Sequence, residues 1–245
     1  MKFRTCLYLL VALLAVPGLN AVAQMVTGDH VKTRVGDLII HPINHATFAM
    51  SWSSVTVYVD PVGGAAAFQG LPAPDLILIT HAHSDHFDPD TLTAIAKSAD
   101  IIAPAAVVEM MPAALKGQTA TMANGAMMNK FGINIEAVPA YNTTEDRLQF
   151  HPKGSGNGYV LTMADKRIYI SGDTEDIPEM RALKNIDVAF VCFNLPYTMT
   201  EEKAASAVND FKPGIVYPYH YRGSDLDKFA SMVDKGIEVR RGAWY

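Results

Sequence analysis

The chain has 245 residues, 49% of them apolar, and a formal net charge of −5 at pH 7. That length fits one large domain or two small ones, and the apolar fraction is enough for a sizeable core. The sequence carries no lysine–arginine stripe, which removes the electrostatic footprint of a nucleic-acid binder.

Residues 1–23 read as a separate piece. Lys2 and Arg4 supply a charged start, Leu7 to Val16 an apolar stretch, and Ala21-Val22-Ala23 a small-x-small cleavage site. The stretch is too short for a convincing membrane-spanning helix, so a secretory signal peptide is expected, with Gln24 as the new N-terminus. Cys6 lies away from the cleavage site, so no lipoprotein anchor is expected. The mature chain then keeps only Cys192 and can form no intrachain disulfide. These features predict a periplasmic or secreted protein with no membrane anchor after cleavage. Residues 24–245 contain no Gly/Ser linker and no short-period repeat, and are read as a single domain.

Strands are predicted over Leu38 to Ile43, Ala46 to Trp52 and Val55 to Val59, with Ser53-Ser54 as a turn and Asp60-Pro61-Val62-Gly63-Gly64 ending the meander. Asp75 to Thr80 is an almost unbroken apolar run, the pattern of a buried strand. It delivers the stretch around which the chain is organised, Thr80-His81-Ala82-His83-Ser84-Asp85-His86. Three of the eight histidines and one carboxylate fall within six residues. Asp88 then caps a helix whose first position is Pro89, so the cluster occupies a strand-to-helix loop. In an extended loop His81 and His83 point the same way, leaving Asp85 and His86 to turn toward an adjacent position. Such an arrangement suits two metal ions roughly 3.5–4 Å apart sharing a bridging hydroxide. Imidazoles and carboxylates are ligands for zinc, with manganese or iron also compatible.

Helices are predicted over Asp90 to Ala99 and Ala105 to Leu115, with a strand at Ile101 to Ala103 between them. Strands follow at 119–122, 127–131 and 133–138. Pro139 to Gly158 is long, polar and irregular, of a kind that is often functional, and it holds Tyr141, Asn142 and His151. A hairpin of Tyr159 to Met163 and Arg167 to Ser171 delivers Ser171-Gly172-Asp173-Thr174, which places a carboxylate at a strand end. Asp187 to Phe193 is a further buried strand, followed by Asn194-Leu195-Pro196-Tyr197 and a helix capped by Thr200. Gly214 to Tyr217 is a core strand running into Pro218-Tyr219-His220-Tyr221. A helix over 225–235 and a strand over 237–240 close the chain.

The pattern His-x-His-x-Asp-His resembles the signature of the metallo-β-lactamase superfamily, and the order of elements is similar to that superfamily across the mature chain. Asn44-His45-Ala46-Thr47-Phe48, Val138-Pro139-Ala140-Tyr141-Asn142, Gly172-Asp173-Thr174-Glu175 and Tyr197-Thr198-Met199-Thr200 resemble its ascorbate-phosphate lactonase-like and phospholipase D-like branch. The resemblance implies an α/β fold, a four-layer αββα sandwich of two mixed sheets with helices outside. It also implies that Asp173 bridges two metals, that His220 is the last ligand and that His45 sits beside the centre as a supporting residue. A hydrogen-bonded strand histidine is an equal reading of His45, and His30 and His41 are read as structural or exposed.

Many members carry one more histidine after a Pro-Ala pair, where this chain has Asn142. His151 is the nearest histidine downstream and is expected to fill that place, the alternatives being Asn142 or water. The expected ligands are thus His81, His83 and His151 for one metal, Asp85, His86 and His220 for the other, and Asp173 between them. With up to two zinc ions, the implied function is hydrolysis of an ester, lactone, phosphodiester or amide bond in a small-molecule substrate. Asp85 is the expected catalytic carboxylate, and Tyr141, Asn142, Tyr197 and Tyr219 are the expected substrate contacts. The competing readings are a mono-iron redox enzyme of the sulfur dioxygenase type and a non-catalytic binding protein. A di-iron oxidoreductase is disfavoured, because relatives of that kind carry glutamate where His83 stands.

Overall fold

Two seven-stranded sheets, each built on the same plan, make up residues 28–245, the part of the chain described by a computed structural model. The predicted leader over 1–23 lies outside the described residues. In the first sheet, β1 (Asp29–Thr33), β2 (Gly36–Asn44), β3 (Thr47–Trp52) and β4 (Val55–Val59) form an antiparallel meander. Then β5 (Leu76–Leu78), β6 (Asp100–Ala103) and β7 (Thr119–Thr121) add in parallel, with α1 (Pro89–Ile95) and α2 (Ala105–Met110) in the crossovers. The second sheet repeats the scheme. Its meander is β8 (Met127–Lys130), β9 (Ile133–Ala140), β10 (Gly156–Met163) and β11 (Lys166–Ile170). Its parallel strands are β12 (Val188–Cys192), β13 (Ile215–Tyr219) and β14 (Glu238–Val239), with α3 (Pro178–Arg181), α4 (Glu201–Phe211) and α5 (Leu226–Met232) in the connections.

Strand alternation sorts the core into layers. On β4 and β5, Val57, Val59, Leu76 and Leu78 belong to the core shared with the second sheet, where the Phe48 and Phe190 rings stack 4.3 Å apart. Tyr58 and Ile77 point to the other face and pack with Phe68, Leu92 and Ile95 beneath α1. Burial on both faces is why the sequence between Asp75 and Thr80 reads as a continuous apolar run rather than an alternating one. The architecture is the expected αββα sandwich of the α/β class.

Several predicted boundaries move. The helix expected to reach Ala99 ends at Ile95, and Lys97 adopts a left-handed φ of 45°. The next stops at Met110, because Met111 precedes Pro112 and is held extended. The strand β1 and the single turn α3, opened by Pro178, were not anticipated. Among the described residues no helix is long and apolar enough to cross a membrane.

Candidate metal centre

The parallel strands bring the histidine loop, Asp173 and His220 to one edge of the sandwich. The loop follows β5, Asp173 follows β11 and His220 follows β13. His45 occupies the β2–β3 turn at φ 53°, and His151 comes from the loop between β9 and β10. Two glycines make the approach possible. A Cβ on Gly172, at φ +60°, would meet the Asn157 carbonyl at 2.9 Å and Thr80 Cβ at 3.1 Å. One on Gly156 would lie 3.3 Å from His81 Cβ. Side chains at either place would push the second sheet away from the histidine loop.

Asp173 is the hub. Its Oδ2 lies 3.3 Å from His151 Nε2 and 3.3 Å from His220 Nε2, and its Oδ1 lies 3.4 Å from His86 Nε2. His81 Nε2 is 4.0 Å from Oδ2 and 3.0 Å from His83 Nδ1. Asp85 Oδ2 lies 3.2 Å from His45 Nε2 and 3.5 Å from His220 Nε2. Three groups result, the first two sharing His81: His81, His83 and His151; His81, His86 and Asp173; and His45, Asp85 and His220. Within each, the candidate ligand atoms lie no more than 4.8 Å apart. The structure therefore gathers all seven sequence-predicted ligands in one place.

The orientation of these groups is set from behind. Asp60 is fully buried and takes three hydrogen bonds of 2.7 Å, from the Thr80 amide, the Thr80 hydroxyl and His86 Nδ1. That fixes the His86 tautomer and leaves Nε2 free to face Asp173. Glu175, also fully buried, accepts from both the Thr143 and Thr144 hydroxyls at 2.7 Å and pairs with Arg147 at 3.1 Å. It thereby pins the loop that carries His151. Sequence reasoning missed the roles of Asp60 and Glu175. Their only signals are an acid ending the apolar strand β4 and an acid directly following Gly-Asp-Thr.

The electrostatics favour a cation. Burial would raise the Asp173 carboxyl, but the imidazoles crowded around it, those of His220, His86 and His151, outweigh that and hold the group well below the usual carboxylate range. Burial pushes His81 well below its ordinary value, so its imidazole is neutral and able to donate a lone pair. A metal fits these residues. Among the described residues, His86 Nε2, His151 Nε2, His220 Nε2 and Asp173 Oδ1 are all buried without a hydrogen-bond partner. Buried polar atoms are normally satisfied, so a convergent set of four such atoms, three imidazole and one carboxylate, is accounted for by a shared cation. Cys192 offers no competing nucleophile: it is buried, and burial pushes its thiol up to about 12.

The centre opens into a cavity of about 530 Å³ with His83, Asp85, His151, Asp173 and His220 along its floor, and Phe150, Tyr197 and Arg222 on its walls. Of the four residues expected to contact substrate, only Tyr197 lines it. Tyr141 turns away and donates to Glu179 at 2.9 Å. Tyr219 is wholly buried against Phe48, Phe190 and Trp244. Asn142 is 2% exposed and spends its amide on the protein: Nδ2 donates to the Arg147 and Tyr197 carbonyls, and Oδ1 lies 3.1 Å from His151 Nδ1. The expectation for these three is corrected, because a loop's place in the sequence does not say which of its side chains turn inward. His45 also departs from a strand reading. It sits in a turn, its carbonyl accepts from the His220 amide at 3.0 Å, and its ring reaches Asp85. His30, which pairs with Asp37, and His41 lie outside the centre.

Residues 40–220 match the family described as the Beta-lactamase superfamily domain. The chain is 31% identical over 211 residues to a UPF0173 metal-dependent hydrolase of Thermococcus onnurineus, covering 80% of this chain and 92% of the relative. It is 38% identical over 155 residues to one from Enterococcus faecalis, covering 60% of this chain and 68% of that protein. Among solved structures, a Parabacteroides distasonis chain assigned as a metal-dependent hydrolase superposes with a TM-score of 0.82 at 40% identity, over 89% of this chain and 99% of that one.

Proposed function

The chain belongs to the beta-lactamase superfamily domain family, and on that premise we propose that it is a metal-dependent hydrolase of small molecules. The observation that carries the reading is the convergence of orphaned imidazole and carboxylate atoms on Asp173, on the floor of an open cleft. In this proposal His81, His83 and His151 would hold one cation and Asp85, His86 and His220 a second, with Asp173 available to both. Zinc suits a histidine-rich set of this kind. A pair of divalent cations supplies Lewis acidity and brings the pKa of a coordinated water to about 7.

The chain's own residues do the rest. Asp85 is the one carboxylate of the cluster that stands substantially open to the cleft, its side chain 48% exposed. Burial would raise its carboxyl, but the His220 and His45 imidazoles beside it outweigh that and hold it well below the usual carboxylate range, so it stands ionised at the cleft floor, placed to accept a hydrogen bond and orient a reacting group. Asp60 holds the His86 ring, and Asn142 the His151 ring, so that little reorganisation is needed when substrate arrives. The cavity volume suits a small molecule, and the bond cleaved is an ester, lactone, phosphodiester or amide. The relatives are named hydrolases, which favours hydrolysis over the redox and non-catalytic readings.

Protein purified without chelators is expected to carry up to two equivalents of metal, chiefly zinc, by elemental analysis covering zinc, manganese and iron. Chelation should abolish turnover on an ester and phosphodiester panel, and zinc should restore it. Metal content near zero with no uptake of added zinc would falsify the reading. We further propose export, from the charged-apolar-small order of residues 1–23. N-terminal sequencing of the exported protein should begin near Gln24, and an intact Met1 on a membrane-embedded product would refute this.

A further inference from the structure

The cleft is not uniform, and its asymmetry bears on the substrate. Arg222 stands on its wall, two residues beyond His220. Among the described residues Arg222 forms no ion pair, whereas Arg147, Arg181, Arg240 and Arg241 each bind a carboxylate directly. Its guanidinium carbon lies 5.1 Å from the centre of the Tyr245 ring. The Tyr245 hydroxyl accepts from the Arg222 amide at 3.1 Å and contacts His45, while the Arg222 carbonyl accepts from Asn194 at 3.1 Å. The backbone is thus tied down on both sides and the ring supports the charge, yet among the described residues the guanidinium's own donors are uncommitted. A cation held in a cleft wall without a protein counter-ion is placed to receive an anion from solution.

The wall also carries Phe150 and Tyr197, whose rings meet edge to face at 5.2 Å. Neither is drawn into the core: Tyr197 is 47% exposed, as are its neighbours Leu148 at 45% and Leu195 at 53%. The Arg147 and Tyr197 carbonyls share the Asn142 amide, so the segments carrying Leu148 and Tyr197 lie side by side. An apolar rim beside a polar floor is a surface that a ligand covers more favourably than water does.

We propose that Arg222 is a specificity-determining residue that anchors an anionic group, a carboxylate or a phosphate, on a substrate whose apolar portion lies along Phe150 and Tyr197. The proposal rests on the cleft being the substrate cleft and narrows that reading to amphiphilic anions. An anion held there enters a wall next to a floor that becomes more positive when cations are bound, so the field of the whole site favours the same class of ligand.

The test measures binding, not turnover, so a protein that hydrolysed none of the panel substrates would still give an answer. Isothermal titration of the metal-loaded protein uses phenylbutyrate, phenylpropyl phosphate and the neutral phenylbutanol. Phenylbutyrate and phenylpropyl phosphate distinguish a carboxylate from a phosphate preference. The parent should bind at least one of the two anions more than ten-fold tighter than the alcohol. Arg222→Gln should weaken that anion by ten-fold or more and the alcohol by less than two-fold, and Arg222→Glu should weaken the anion further. Arg222 is exposed, so metal content and melting temperature should be unchanged in both variants. An anion preference that survives in Arg222→Gln would mean that the metals alone hold the anion, and would overturn the proposal. So would equal losses for anion and alcohol, or a parent with no preference for either anion.

Discussion

Asp85→Ala is expected to abolish hydrolysis while the melting temperature stays within about 2 °C of the parent. The two halves of that result have separate physical origins. The Asp85 side chain is 48% exposed and packs in no apolar cluster, so its removal opens no cavity in the core. Its carboxylate nevertheless faces His45 at 3.2 Å and His220 at 3.5 Å. Without it, one group of candidate ligands is left with imidazoles alone, and the cleft floor loses its most accessible proton acceptor. Loss of such a group lowers turnover by about 10²–10⁴-fold, and weakened metal retention adds to the effect. Turnover, metal content and thermal melts measured together decide the matter. Parental activity in the variant would remove Asp85 from the proposed machinery. A collapse of melting temperature would show that its role is structural.

Why Asp85 could be singled out from sequence while Asp60 could not is a matter of locality. The histidine loop announces itself because its donors are contiguous and follow an apolar run. Asp173 and His220 were legible because Gly172-Asp173-Thr174 and the histidine after the last core strand resemble the superfamily's motifs, and each falls at a strand end, where sheet proteins place their functional loops. Asp60 also ends a strand, but a lone acid there has no local pattern, and its meaning lies in Thr80 and His86, which approach only when β4 and β5 pair. Glu175 stands in a motif that resembles the family's, but its role is equally hidden, because the threonines it binds lie more than thirty residues upstream. Tyr141 and Tyr219 show the opposite failure. Both sit in segments adjoining the site, but one turns toward Glu179 and the other into the inter-sheet core. Side-chain direction at a strand end depends on the tertiary register, which sequence order does not record.

The repeated topology gives those placements a common cause. Each half runs a four-stranded meander and then adds parallel strands, so each sheet sends loops from its parallel strands toward the same edge. The first half contributes Asp60 and the histidine loop, and the second contributes Asp173 and His220. The candidate centre is therefore a product of the two halves packing together. Gly172 permits the close approach between them: a Cβ there would meet Thr80 Cβ, in the first half, at 3.1 Å.

The last prediction separates His151 from Asn142, two residues that sequence reasoning treated as rivals. In the structure they are partners: Asn142 Oδ1 lies 3.1 Å from His151 Nδ1, and His151 Nε2 points at Asp173. His151→Ala removes a lone pair directed at the candidate site and should lose one metal equivalent outright, with turnover falling accordingly. Asn142→Ala should keep both metals but weaken one by about 10–100-fold, the usual consequence of freeing a ligand's ring from behind. It should also destabilise the protein by about 1–3 kcal/mol, because its amide serves the Arg147 and Tyr197 carbonyls in a place that is 2% exposed. This differs from the sequence-based view of Asn142 as a substrate contact, under which its loss would mainly alter substrate affinity. Metal titration and thermal melts on the two variants distinguish the cases. Two metals of parental affinity in His151→Ala would show that the site closes without this histidine. An Asn142→Ala protein with parental stability and metal affinity would return that residue to the cleft.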